Sequence, residues 1–132
     1  MRTILLTIAL VLASATQAQE LLGQEHWPDG TLRSTRYSDG QRIHFITYHQ
    51  NGRVKEVGCF RNGRRDGAWK QYSDTGALVA KAGFRDGKSQ GVWEFRTGSN
   101  KPMGKLVFSD GALTRGEQYG ENGDLIAQRN YR

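Results

Sequence analysis

Residues 67–87 read Gly67-Ala-Trp-Lys-Gln-Tyr-Ser-Asp-Thr-Gly-Ala-Leu-Val-Ala-Lys-Ala-Gly-Phe-Arg-Asp-Gly87, an alternating run bounded by two aromatic-to-glycine turn units. Working outward, the second unit belongs to a series spaced 23 to 24 residues apart: Tyr37-Ser-Asp-Gly40, Phe60-Arg-Asn-Gly63, Phe84-Arg-Asp-Gly87 and Phe108-Ser-Asp-Gly111. The first belongs to an interleaved series: Trp27-Pro-Asp-Gly30, Tyr48-His-Gln-Asn-Gly52, Tyr72-Ser-Asp-Thr-Gly76 and Tyr119-Gly-Glu-Asn-Gly123. Asn-Gly and Asp-Gly favour type I′ turns, which need positive φ at both central residues. Two turn units per period therefore predict stacked β-hairpins, an all-β repeat with no helical segment after residue 24.

Alternation assigns faces. Leu78, Ala80, Ala82 and Phe84 share one side, as do Val54, Glu56, Gly58 and Phe60 one period earlier, and Leu125, Ala127, Arg129 and Tyr131 at the end. Val79, Lys81 and Gly83 take the other side, as expected of an antiparallel sheet covered on at most one face. Tyr37, Phe60, Phe84, Phe108 and Tyr131 are expected to form an aromatic ladder, and part of it should stay uncovered for an interface. Gly67-Ala-Trp69 and Gly91-Val-Trp93 place a glycine two residues before a tryptophan, read as room for the ring. Trp69 and Tyr72 fall on opposite faces unless a bulge intervenes. The period breaks at 96–107, where Thr97-Gly-Ser-Asn-Lys-Pro102 reads as a longer loop.

The N-terminus is a different kind of sequence. Arg2, the apolar run Ile4–Ala13 and the small residues of Ala13-Ser-Ala-Thr-Gln-Ala18 have the layout of a secretory signal peptide, residues 1–18. The apolar run is about half of the roughly 20 residues a membrane span needs. The expected organisation is a signal peptide at 1–18, a linker at 19–25 and one repeat domain at 26–132. Loss of Arg2 with the leader lowers the formal net charge from +6 to +5. An exported basic chain meets anionic lipid, envelope glycan or an acidic protein, and export argues against nucleic acid. Cys59 is the only cysteine, so an intramolecular disulfide is excluded.

The stretch 67–78, followed by Gly83-Phe-Arg-Asp-Gly87 and Gly91-Val-Trp93, resembles the MORN-repeat variant of bacterial YwqK-like proteins, often labelled antitoxins. The resemblance covers about residues 26–132 and is strongest across 48–95. It implies one long, twisted sheet of consecutive hairpins and a binding or scaffolding role toward membrane lipid or protein. The antitoxin label implies neutralising a toxin by direct contact, in a periplasmic immunity-type role if the chain is exported.

The residues themselves present no catalytic, cofactor or metal set. His44 and His49 are five apart on opposite faces, no Cys-x-x-Cys or His-x-x-x-His pair occurs, and most aspartates are explained as turn residues. No Ser or Cys stands out with a base and an orienting group. The expectation is a non-enzyme. An envelope glycan-active enzyme, or its accessory subunit, is the reading from a different class. The remaining functional signal is a basic turn edge, Arg42, Arg61, Arg64, Arg65, Arg85, Lys88 and Arg115, together with Trp69 and Trp93 on the sheet.

Overall fold

The computed structural model describes residues 19–132, so the proposed signal peptide lies outside the described residues. The described chain is all β. Its strands are β1 (Glu20–His26), β2 (Leu32–Ser38), β3 (Ile43–Tyr48), β4 (Val54–Arg61), β5 (Arg64–Tyr72), β6 (Leu78–Arg85), β7 (Lys88–Ser89), β8 (Gly91–Arg96), β9 (Pro102–Ser109), β10 (Ala112–Tyr119) and β11 (Leu125–Asn130). They form one antiparallel sheet in the order β1-β2-β3-β4-β5-β6-β8-β9-β10-β11, with β7 also paired to β6. The sheet begins earlier than the sequence reading placed it. Glu20–Glu25, within the stretch 19–25 read as linker, form β1 with His26 and pair along β2 from Glu20 opposite Ser38 to His26 opposite Leu32.

Two turn geometries alternate along the two long rims. On one rim the loops Asn62-Gly63, Asp86-Gly87 and Asp110-Gly111 hold positive φ at both residues, between 49° and 87°. That is the type I′ turn, whose twist matches the flanking strands. On the other rim each loop spans five residues, with the first N–H donating to the fifth carbonyl and the fourth N–H to the first carbonyl. The five loops are 27–31, 49–53, 73–77, 97–101 and 120–124. Each adjoins a register shift in the sheet, the bulge that accompanies a left-handed residue in such loops.

Residues 97–101 are thus a regular member of this series and not the expected irregular loop. Asn100, at φ 64°, stands where the other four loops have glycine. Asparagine tolerates that conformation, so the repeat continues without its marker residue. The shift between Gln71 and Tyr72 likewise answers the face question for Trp69 and Tyr72: its extra residue, Val79, is in β6, so β5 alternates unbroken and the two side chains take opposite faces.

The sheet carries its apolar packing on one face. Phe45, Phe60, Trp69, Phe84, Trp93 and Phe108 form an unbroken chain of rings, with successive centroids 4.9 to 5.8 Å apart. Each edge-on or tilted ring pair contributes about 0.5–1.5 kcal/mol beyond its buried area. Two of the expected ladder members behave differently. Tyr37 pairs across β2–β3 with His44, next to Phe45 and therefore on the opposite face, where the two rings stack at 4.8 Å. Tyr131 packs over Gly116, beyond the chain of rings.

No second layer covers this face among the described residues, and no large side chain is fully buried. Among the described residues, only Cys59 of the hydrophobic and Asp66 of the polar side chains are buried. The glycines that make room for rings are also not those of the Gly-x-Trp pairs. A Cβ on Gly58 would stand 2.6 Å from Trp69 Cδ2 and 2.8 Å from Phe45 Cε1, so the rings lie against the β4 backbone. Gly67 and Gly91 instead hold φ of 72° and 79°, at points where β5 and the β7–β8 segment step out of register.

Candidate functional site

Hairpin geometry decides which basic residues stand together. A two-residue loop forces its flanking residues to pair, so Arg61 lies directly opposite Arg64 and Arg85 directly opposite Lys88. Phe60 and Phe84 are on the aromatic face, so the residues after them, Arg61 and Arg85, and their partners point to the other face. The two tips are bonded to each other: Gly87 N–H donates to the Arg65 carbonyl at 2.9 Å, and the Arg64 aliphatic stem lies 3.6 Å from the space beside Gly87. The same arrangement joins the next tip, where Gly111 N–H donates to the Ser89 carbonyl and the Lys88 stem covers Gly111.

Four cations therefore occupy one patch on adjoining tips. Lys88 Nζ reaches Asp110 at 3.7 Å, with both groups largely in water. Among the described residues no carboxylate lies within 4.0 Å of Arg61, Arg64 or Arg85.

The other basic residues expected at this rim are engaged elsewhere. Arg65 turns to the aromatic face, its guanidinium 4.9 Å from the Trp69 ring and 5.4 Å from Phe84. Arg42 pairs with Asp66 at 3.2 Å. Arg115 lies inside β10, bound to Glu117 at 2.6 Å and to Gln128. Trp69 and Trp93 sit in the middle of the ring chain. Trp93 Nε1 donates to the Gly83 carbonyl at 3.1 Å, and Trp69 Nε1 has no partner. The sequence list thus divides into the tip patch, the aromatic face and two internal ion pairs.

Asp39, His44, Cys59 and Asp66 form a polar cluster on the face opposite the rings, a convergence the sequence reading did not anticipate. Asp39 accepts from the N–H groups of Gln41 and Arg42 and from His44 Nε2 at 2.8 Å. These bonds, that from His44 foremost, hold its carboxyl well below the usual carboxylate range. The Cys59 Sγ donates to the Asp66 carbonyl at 2.8 Å, and burial pushes the thiol up. Protonation makes it a poor nucleophile and a poor metal ligand. His49 Nε2 bonds the Tyr72 carbonyl at 2.9 Å. Among the described residues no three His, Cys, Asp or Glu side chains converge to hold a metal. Asp39 and His44 could have been paired from the hairpin they flank; Asp66 required the register of β5.

The sequence matches no protein-family model and no curated protein.

Proposed function

We propose that the chain is an exported, non-catalytic repeat protein that binds an extended anionic surface, a membrane or another polyanionic envelope component, through the hairpin tips of β4–β5 and β6–β7. One observation carries this reading: Arg61 faces Arg64 and Arg85 faces Lys88 on adjoining tips. Like charges directly opposite across strands destabilise a hairpin by a few tenths of a kcal/mol or more. An anion placed between them reverses the sign of that interaction. Guanidinium groups suit phosphate and carboxylate oxygens, which they hold in paired bonds. The leader-like residues 1–18 support a location where such surfaces occur, and the resemblance to MORN-variant repeats supports a binding role.

Vesicle co-sedimentation tests it. Full chain is mixed with phosphatidylcholine vesicles with and without phosphatidylglycerol, at low and high salt. Binding is expected only with the anionic lipid and should weaken as salt shortens the screening length below about 10 Å. Arg61→Ala/Arg64→Ala/Arg85→Ala should abolish it. Equal pelleting of that variant and the wild type, or binding indifferent to salt, sinks the reading.

A further inference from the structure

The geometry points to a second copy of this chain as the partner of the sheet's open edges, joined head to tail with β11 of one copy against β1 of the next. Among the described residues β1 is bonded only to β2 and β11 only to β10, so each presents an unpaired row of backbone groups. Such an edge is a template for another strand. Both edges are also unusually apolar. Leu21, Leu22, Leu125 and Ile126 are 59%, 45%, 50% and 60% exposed, half of the large hydrophobic residues that are exposed in the described chain.

Direction and charge select head-to-tail pairing. The sheet path has ten strands, all antiparallel, so β1 and β11 run in opposite directions. A copy translated along the sheet therefore continues the antiparallel order across the junction, with each face meeting its own kind. β1 carries Glu20 and Glu25 and neither Lys nor Arg, whereas Leu125–Arg132 carries Arg129 and Arg132 and no acid. Joining β11 to β11 offers only arginines and joining β1 to β1 only glutamates, so neither junction can form an arginine–glutamate pair. Joining β11 to β1 antiparallel brings the Arg129 end to the Glu20 end.

A full-length register follows from the sides these residues take. Glu20 pairs with Ser38, on the Ile43–Phe60 side, and Arg129 pairs with Gly116, on the Leu106–Trp93 side; both belong to the aromatic face. With Glu20 opposite Arg129 and the bulge at Leu22 retained, Gly23 meets Ala127, next to the bulge that β11 itself carries between Ala127 and Leu125. Leu21 and Ile126 are then diagonal neighbours on the opposite face, within side-chain reach. Because the contact is heterologous, it propagates beyond two copies unless the rotation closes a ring.

Sedimentation velocity of the full chain across a concentration series tests this. The wild type should form species larger than dimers as concentration rises. Arg129→Glu alone and Glu20→Arg alone should each raise the concentration needed by about tenfold or more, since each opposes like charges at the junction. Glu20→Arg/Arg129→Glu in one chain should restore assembly, which a β11–β11 or β1–β1 dimer would not do. Both positions are on open edges, and circular dichroism checks that the sheet persists. A chain that stays monomeric, stops at dimers, or assembles equally with either single reversal overturns the proposal. The last result would assign association to residues 1–18 or to the sheet face.

Discussion

Replacing Gly58 by alanine should destabilise the sheet even though alanine is the better strand residue. An ideal Cβ at Gly58 would lie 2.6 and 2.7 Å from Trp69 Cδ2 and Cε2 and 2.8 Å from Phe45 Cε1. Carbon atoms in contact prefer about 3.5–4.0 Å, so one or both rings must retreat by about 1 Å. Trp69 is confined on its other sides by Phe60 and Phe84, each with its centroid 5.5 Å away, and by the Arg65 guanidinium. Forcing an extra carbon into such packing costs about 1–3 kcal/mol. Lower unfolded-state entropy returns about 0.4–1 kcal/mol. The expected net loss is therefore about 1–2 kcal/mol, or a fall in Tm of roughly 4–12 °C for a domain of this size. Gly98→Ala is the control, because nothing lies within 4 Å of its Cβ and its φ is not left-handed. It should shift stability by less than about 0.5 kcal/mol. Urea unfolding followed by tryptophan fluorescence compares the two. A Gly58→Ala midpoint equal to or above that of Gly98→Ala would refute the claim that the ring chain is seated on the β4 backbone.

Asn100 should accept glycine with no loss of thermal stability, while Asn100→Ala should cost about 1 kcal/mol, the penalty of a left-handed residue with a Cβ and no local hydrogen bond; equal melting of the two variants would contradict the turn assignment. Asp39→Asn should destabilise the chain at neutral pH, because the depressed carboxyl contributes stability above its ordinary range and loses it as pH falls through the folded value. The gap between wild-type and variant urea midpoints should therefore narrow between neutral and strongly acidic pH, and a constant gap would refute the assignment. Cys59 should react with a thiol-specific disulfide reagent at least about tenfold more slowly in the native chain than in urea, as burial and the raised thiol predict; comparable rates would show the thiol to be accessible.

Much of this fold was legible because its turns announce themselves. Asn62-Gly63, Asp86-Gly87 and Asp110-Gly111 are strong local determinants of a two-residue loop, and strand length then follows from their spacing. What stayed hidden were positions where the same geometry is met by different residues. Asn100 replaces the turn glycine, and Phe45 stands 24 residues before Trp69 in the ring chain without a Gly-x-Trp pair to mark it. Tyr37 shares the aromatic-turn signature yet stacks on His44, because it pairs across β2–β3 on the face that Cys59 and Val57 occupy. Glu20–His26 carries no turn glycine before it, so a turn-based reading had no reason to begin the sheet there.

The candidate site divides along the same line. Counting cations per turn finds seven basic residues, but only register shows which face each takes and which already has a partner. Arg42 and Arg115 are claimed by Asp66 and Glu117, and Arg65 by two rings. The like-charge oppositions are different, because two tetrapeptides are enough to produce them. In Arg61-Asn-Gly-Arg64 and Arg85-Asp-Gly-Lys88 the type I′ turn makes the flanking residues partners whatever the rest of the sheet does. In Ser109-Asp-Gly-Ala112 the same turn joins two neutral residues. The fold therefore does not require charge at these positions, and two of its three such tips carry a repulsion that an anionic partner would relieve.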